Sequence, residues 1–381
     1  MTKTQRNILL VLTVIACGLS VFVIALGYQA YQVLWEAPLM GPAIAMETTT
    51  PLAMPPTWTA SPPGLSGQPG TPTLAETATP VAAPRCGGPP VMTILAVGSD
   101  ARSNSYNYGL GDVIRVVRVD FVNARVTILT FPRDLWVEIP DIADNLNGQT
   151  HEKLNQAYLY GNPGFGYYEG PGAGPGLMAR TLALNFGVVP ERYIGVNMRT
   201  FEQIVDAVGG IDIYLPRAVD GRTSEDRSSR LVFPAGQQHL NGPQALTLAR
   251  IRIDGVFDRM DNQNLVMCAL KDKLTSPKVI TSIPALINSF KDNVQTDLTP
   301  EQLTQLACIG TQIKSEDIIF ASFPEELFTQ ARQYDPVFKG RVFIWDADYD
   351  VLRDYVKRFN EGTWPAPDMD EEDPETTSTC P

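Results

Sequence analysis

At 381 residues and 44% hydrophobic, the chain can bury one large domain or two smaller ones. Its formal net charge of −12 argues against a surface built for phosphate backbones, so nucleic acid is not expected as a partner. With only two histidines, His151 and His239, an imidazole-built zinc site is not expected either. A metal here would be a hard cation held by carboxylates, with magnesium the usual choice beside phosphate.

Residues 1–7 carry Lys3 and Arg6, and from Ile8 to Tyr28 no residue is charged. About 20 apolar residues match the hydrocarbon thickness of a bilayer. A cleaved signal peptide would have a shorter apolar region and a small-residue cleavage site. Here Gln29, Tyr31, Gln32 and Trp35 follow, and Tyr and Trp suit the membrane interface. No Lys or Arg recurs before Arg85, so the positive-inside rule keeps residues 1–7 in the cytoplasm. The reading is a single-pass protein of the cell membrane, with 8–28 as the transmembrane helix and the rest extracytoplasmic.

Residues 36–90 are rich in Pro, Thr, Ala and Gly and read as a disordered linker. Treated as a flexible coil of roughly 50 residues, it would span about 40 Å. Cys17 falls in the span, which leaves Cys86, Cys268, Cys308 and Cys380. An even remainder in an exported domain fits two disulfides, with three pairings open. Cys268 and Cys308 sit in helix-like stretches, and Cys86 and Cys380 lie at the ends of the soluble part. Those positions favour 268 with 308 and 86 with 380.

The folded part opens with an apolar strand, Val91 to Val97, ending in Gly98-Ser99-Asp100. A second strand runs from about Asp112 to Val119 and a third from Arg125 to Phe131, with Val122-Asn123 turning the chain. Such a hairpin places Asp112 opposite Arg133. The first strand would bring Asp100 to the same edge if it runs beside them in the suitable direction. The glycine-rich stretch at 161–176 reads as a mobile loop before a helix over Leu177 to Phe186, capped by Gly187. Thr200 and Gln203 make a capping box for a helix with Phe201, Ile204, Val205 and Val208 on its apolar face.

Ile211 to Leu215 reads as a strand, and Asn241 caps a helix running towards Arg250, with Pro243 in its first turn. A further helix covers about Phe257 to Leu274. Strands alternating with helices long enough to cover a sheet predict an α/β layered fold. The main domain is placed at 91–276. Residues 277–364 read as an extension packed on it, with a helix near Pro300 to Lys314, strands at Ile318 to Phe323 and Val342 to Trp345, and a helix near Tyr349 to Phe359. Residues 365–381 read as an acidic solvated tail.

Phosphate-loop, nucleophile-elbow and triad patterns are absent from the sequence. What stands out is a set of acids and arginines at element ends: Asp100 and Arg102, Asp112, Arg133 and Asp134, Arg250 and Arg252. Arg259 and Gln263 are four apart, hence on one helical face. Two carboxylates with several guanidiniums suit a pyrophosphate bound with a divalent cation, since arginines fork onto the oxygens the cation leaves. Surface ion pairs are the commoner fate of any single Asp or Arg.

These motifs resemble the LytR-CpsA-Psr family from about Val91 to Leu274. The blocks, in order, are ILAVGSDAR at 94–102, ILTFPRDLWVEIP at 128–140, HEKLNQAYLYG at 151–161, FEQIVDAVGGIDIYLP at 201–216 and GQQHLNGPQALTLARIR at 236–252. The resemblance implies α-β-α layers about a mixed central sheet, a membrane anchor and an outward-facing domain. It further implies a transferase moving a glycopolymer from a polyprenyl-pyrophosphate carrier to peptidoglycan, with Mg2+ or Mn2+.

Carried over by motif, Asp100 and Asp112 would hold the metal, and Arg133, Arg250 and Arg252 would be catalytic. Arg102, Arg259 and Gln263 would bind the pyrophosphate. The chain departs from the family pattern at Leu110-Gly111-Asp112, where Arg-Ser-Asp is common, and at Val256 and Asn262, where an acid and an arginine are usual. Arg115 and Arg118 stand in a strand that is normally apolar or small. A polyprenyl-pyrophosphate phosphatase and a non-catalytic lipid- or wall-binding regulator of envelope assembly are the alternatives.

Overall fold

In a computed structural model, residues 41–44, 46, 82–101, 106–142, 148–251, 256–276, 293–365 and 377–380 are described, without the side chains of 256–259 and 377–379. The predicted span at 8–28 lies outside them. Apolar runs generate the first strands. β1 (Val91–Ser99), β2 (Gly111–Asp120) and β3 (Arg125–Phe131) form an antiparallel meander. The β2–β3 turn is tied by the Asp120 carboxylate, which accepts the Val122 and Asn123 amides at 2.9 and 2.8 Å.

β4 (Trp136–Glu138) and β5 (His151–Lys153) make a short ribbon that leads into α1 (Leu154–Gly161) and α2 (Ala173–Phe186). Helix α2 begins four residues before the expected Leu177, so the end of the glycine-rich stretch is helical. Pro175 is tolerated there because first-turn amides have no intrahelical acceptor. After β6 (Arg192–Asn197) comes α3 (Met198–Ala207). The expected Thr200–Gln203 capping box is not the start of α3. Asn197 caps it instead, accepting the Thr200 amide at 2.7 Å.

A satellite unit follows: β7 (Ile211–Leu215), β8 (Val219–Asp220), β9 (Val232–Phe233), β10 (Gly236–Leu240), α4 (Gly242–Arg250) and α5 (Val256–Leu274). Helix α4 starts on a capping box of Asn241 and Gln244. The chain continues through β11 (Gln295–Thr296), α6 (Pro300–Gly310), β12 (Ile318–Ser322), the hairpin β13 (Phe328–Asp335) and β14 (Gly340–Ala347), α7 (Tyr349–Glu361) and β15 (Thr377–Thr379).

The central sheet has the order β11-β6-β1-β2-β3-β12-β15 and is mixed, with β1–β6 and β3–β12 parallel and its other pairs antiparallel. Alternate residues supply its two faces. Leu95, Val97, Ile114, Val116, Leu129 and Phe131 join the cluster beneath α1, α2 and α7. Ile94, Val119, Ile128 and Phe320 join the opposite one with Cys268 of α5 and Ile309 of α6. These are α-β-α layers, as expected. The stretch after Pro277 does more than pack on this sheet, because β11 and β12 are hydrogen-bonded strands of it.

Three local readings are corrected. The disulfides are Cys86–Cys308 and Cys268–Cys380, since Cys86 lies beside α6 and β15 carries Cys380 to α5. The end of the acidic tail is a sheet strand, and Cys380 is buried. Within the expected linker, Ile44 is only 1% exposed in the main cluster; its N–H donates to Asp297 Oδ2 at 3.4 Å and its carbonyl accepts Arg180 Nη1 at 3.4 Å. One buried residue amid Pro, Thr and Ala leaves no periodic signal.

Candidate active site

The site is built where β1 ends and β2 begins. Register slips there: Gly98 pairs with Val113, but Ser99 pairs with Gly111, so Asp112 is the extra residue of a bulge. A bulge re-aims its side chain, and Asp112 turns towards the end of β3. Its Oδ1 accepts Arg133 Nη1 at 2.6 Å and Asn155 Nδ2 at 3.4 Å. Asp100 sits alongside, with its N–H on the Leu110 carbonyl and its Oδ1 accepting the Leu110 amide at 2.7 Å. Gly111 packs closely at this crossing, where a Cβ would lie 3.1 Å from Tyr158 Cβ.

Arg133 is gripped from two sides, with Nε 3.2 Å from Asp134 Oδ2, and Lys153 Nζ reaches Asp134 Oδ1 at 3.1 Å. Burial works most strongly against its charge, yet Asp112 and Asp134 together hold the guanidinium above its ordinary value. It stays cationic and oriented. The backbone completes the frame, since the Asn155 N–H donates to the Arg133 carbonyl at 3.1 Å. Asp134 stands in the acid–arginine set without an assigned role, and Lys153 and Asn155 were not singled out from sequence as site residues. The one signal for Lys153 and Asn155 was membership of the block at 151–161.

Arg250 is exposed in the last turn of α4. Gln263 of α5 donates to the Ala249 carbonyl at 3.3 Å, which ties the two helices beside Arg250. Arg115, 4% exposed, reaches from β2 to Gln263 Oε1 at 3.4 Å and Asn264 Oδ1 at 2.9 Å. It thus links the α4–α5 junction to the strand that carries Asp112, while Asn262 beside Gln263 is buried. Arg102 and Arg252 lie outside the described residues, and Arg259 lies in α5 with its side chain outside them.

Behind the site ribbon lies a second acidic pair, Glu152 of β5 and Asp335 at the β13–β14 tip, each 0% exposed. Burial first, then the Asp335 carboxylate, push Glu152 up to about 7, against the Lys153 amide.

Among the described residues no group of three or more His, Cys, Asp or Glu could hold a metal. Two carboxylates at adjoining strand ends still suit Mg2+, which binds through one or two of them and keeps water and phosphate oxygens as its other ligands. Asp100 and Asp112 therefore fit that ion and would not suffice for one needing an all-protein cage.

Several relatives are similar to this chain. The polyisoprenyl-teichoic acid–peptidoglycan teichoic acid transferase TagV of Bacillus subtilis (strain 168) is 30% identical over 211 residues, covering 54% of this chain and 50% of that protein. The corresponding TagU of Oceanobacillus iheyensis is 31% identical over 218 residues, covering 56% and 61%. The chain thus spans between half and two thirds of the curated relatives it matches. The crystal structure of B. subtilis TagV superposes with a TM-score of 0.54 at 24% identity, over 71% of this chain and 97% of that one, a likeness of fold. The LytR_cpsA_psr family model matches residues 88–343, more than half of the sequence and well into β14. The chain belongs to the LytR_cpsA_psr family.

Proposed function

We propose that the protein is a membrane-anchored, Mg2+-dependent phosphotransferase that moves a glycopolymer from a polyprenyl-pyrophosphate carrier to peptidoglycan. The observation that carries the reading is the assembly of Asp100, Asp112 and Arg133 at one end of the sheet. Its relatives TagV and TagU, named as teichoic acid–peptidoglycan transferases, support it. The uncharged span at 8–28 and the positive N-terminus support the anchor and an extracytoplasmic domain.

In this reading an acceptor hydroxyl on peptidoglycan attacks the phosphorus that carries the glycan. The new bond is O–P, the bond that breaks joins that phosphorus to the bridging oxygen, and the hydroxyl proton passes to solvent, so polyprenyl phosphate leaves with the negative charge. Asp100 and Asp112 would hold the metal. The chemistry a bound Mg2+ supplies is neutralisation of charge on the pyrophosphate oxygens.

Arg133 presents a fixed guanidinium to the developing charge, and its orientation is set before substrate arrives by Asp112 and Asp134. Arg250, exposed at the α4 terminus, can fork onto the remaining oxygens, with Arg102, Arg252 and Arg259 assigned to the same task by motif. Gln263 holds the α4–α5 junction in register.

The test is the full chain in detergent with a lipid-linked oligosaccharide, peptidoglycan fragments and Mg2+. A glycan–peptidoglycan product should form, stop on chelation, and fall by about 100-fold or more in Asp112→Ala. Equal product with Asp112→Ala would overturn the assignment. Phosphate release without acceptor would make the protein a phosphatase, and tight lipid binding without turnover would make it a regulator.

A further inference from the structure

Two loops flanking the site carry an aromatic row that nothing above uses. Tyr108 and Phe165 meet edge to face at 5.2 Å, Phe165 stacks on Tyr167 at 5.3 Å with 8° between planes, and Tyr167 meets Tyr160 at 5.4 Å. The row runs from the interior outwards: Tyr160 is buried, while Phe165 is 46% and Tyr108 66% exposed. It is firmly placed. A Cβ on Gly164 would collide with the Asn107 carbonyl and the Tyr108 ring, so the loops interlock with no room between them. Tyr108 lies two residues from Leu110, whose amide holds the Asp100 carboxylate at 2.7 Å.

We propose that Tyr108 and Phe165, backed by Tyr167, form a stacking subsite for the pyranose ring nearest the pyrophosphate of the lipid-linked substrate. The inference rests on the functional reading above. A pyranose presents C–H groups on its faces and hydroxyls around its rim. The negative face of an aromatic ring complements those C–H groups, as it complements the positive edge of another ring. The same loop also supplies rim partners: beyond Tyr167 it borders a cleft of about 380 Å³ lined by Asp141, Tyr168, Glu169 and Arg180. Carboxylates and a guanidinium there can exchange hydrogen bonds with hydroxyls.

Exposed aromatics also serve as membrane wedges. Here the charge pattern favours sugar. Across residues 106–110 and 161–172 the one charged residue is Glu169, with no Lys or Arg, whereas attachment to an anionic lipid surface relies on them.

The experiment uses the full chain with Mg2+ and two probes: geranyl pyrophosphate carrying an N-acetylhexosamine disaccharide, and bare geranyl pyrophosphate. The ratio of their dissociation constants is the readout. Wild type should prefer the glycosylated probe, and Tyr108→Ala or Phe165→Ala should each shrink the preference by about five- to tenfold, with Tyr108→Phe restoring it. Equal binding of both probes by wild type, or an unchanged ratio in both alanine variants, would overturn the subsite while leaving the pyrophosphate reading intact. Failure of wild type to bind either probe would instead sink that reading, and the subsite with it. Protection of Tyr108 and Phe165 from hydroxyl-radical labelling when the full chain is reconstituted into anionic vesicles, with the ratio unchanged in the double alanine variant, would assign the row to the membrane and overturn the proposal.

Discussion

The middle of the central sheet and its β12–β15 edge are made differently. At the site, β1, β2 and β3 are consecutive and antiparallel, and the functional pair Asp112–Arg133 is separated by one tight turn. On the far side, β12 joins β3 in parallel from nearly 200 residues later, and β15 closes that edge with three residues whose neighbour is tied to α5 by Cys268–Cys380. The first arrangement is local and its geometry follows from counting residues from a turn. The second closes very long loops and must be held by burial and a covalent link. The chemistry therefore rests on the part of the sheet that assembles most directly, and the late strands brace it.

Breaking the site end should show in activity with little loss of fold. Arg133→Ala is expected to cut transfer by about 100- to 1000-fold, as loss of a single charge-stabilising donor does elsewhere. Arg133→Lys should recover only a minor part, because an ammonium cannot bridge Asp112 and Asp134 as the planar fork does. Steady-state rates with circular dichroism as a fold control would decide; a normal rate in Arg133→Ala would remove Arg133 from the chemistry.

Breaking the far edge should show first in stability. Cys380→Ser opens a link spanning 112 residues and is expected to cost about 2–5 kcal/mol. Denaturant titration of the oxidised variant would measure it. A loss below about 1 kcal/mol would mean that burial holds β15 without the bond.

A smaller effect joins the two regions, through Glu152 of the site ribbon and Asp335 of the late hairpin. Glu152 titrates near 7 in the fold and from an ordinary value of 4.5 when exposed. Between those values the folded state keeps a proton the unfolded chain has lost, so stability is full below about 4.5 and declines as pH rises through 7. Glu152→Gln should flatten the melting-temperature profile between pH 5 and 8, and an unchanged slope would place the titration elsewhere. Smallest of all, Asn197→Ala removes the cap of α3 and should cost about 1 kcal/mol, read by chemical denaturation.

Apolar runs and a turn signal gave β1 to β3 to within two residues, and the turn at 122–123 implied the Asp112–Arg133 contact later found at 2.6 Å. Asn241 and Gly187 marked helix ends correctly, because capping is a contact within a few residues. At α3, where Thr200 was the expected cap and Asn197 is the actual one, the start was set by tertiary context. The Thr200 hydroxyl donates to the Asn293 carbonyl at 3.1 Å, a partner nearly a hundred residues away. The acid–arginine set was legible, whereas the supporting roles of Lys153, Asp134 and Arg115 come only from what lies across from them.

By itself, the sequence determined the α/β class, the meander, the acid–arginine pair and the need for two disulfides, since each depends on composition or on neighbours along the chain. Tertiary structure decided which cysteines pair, that β11, β12 and β15 complete one sheet, that Ile44 of the linker is buried, and that Arg115 bridges β2 to α5. The reason is the same in each case. Side-chain period and turn chemistry report which face is buried, but not what buries it.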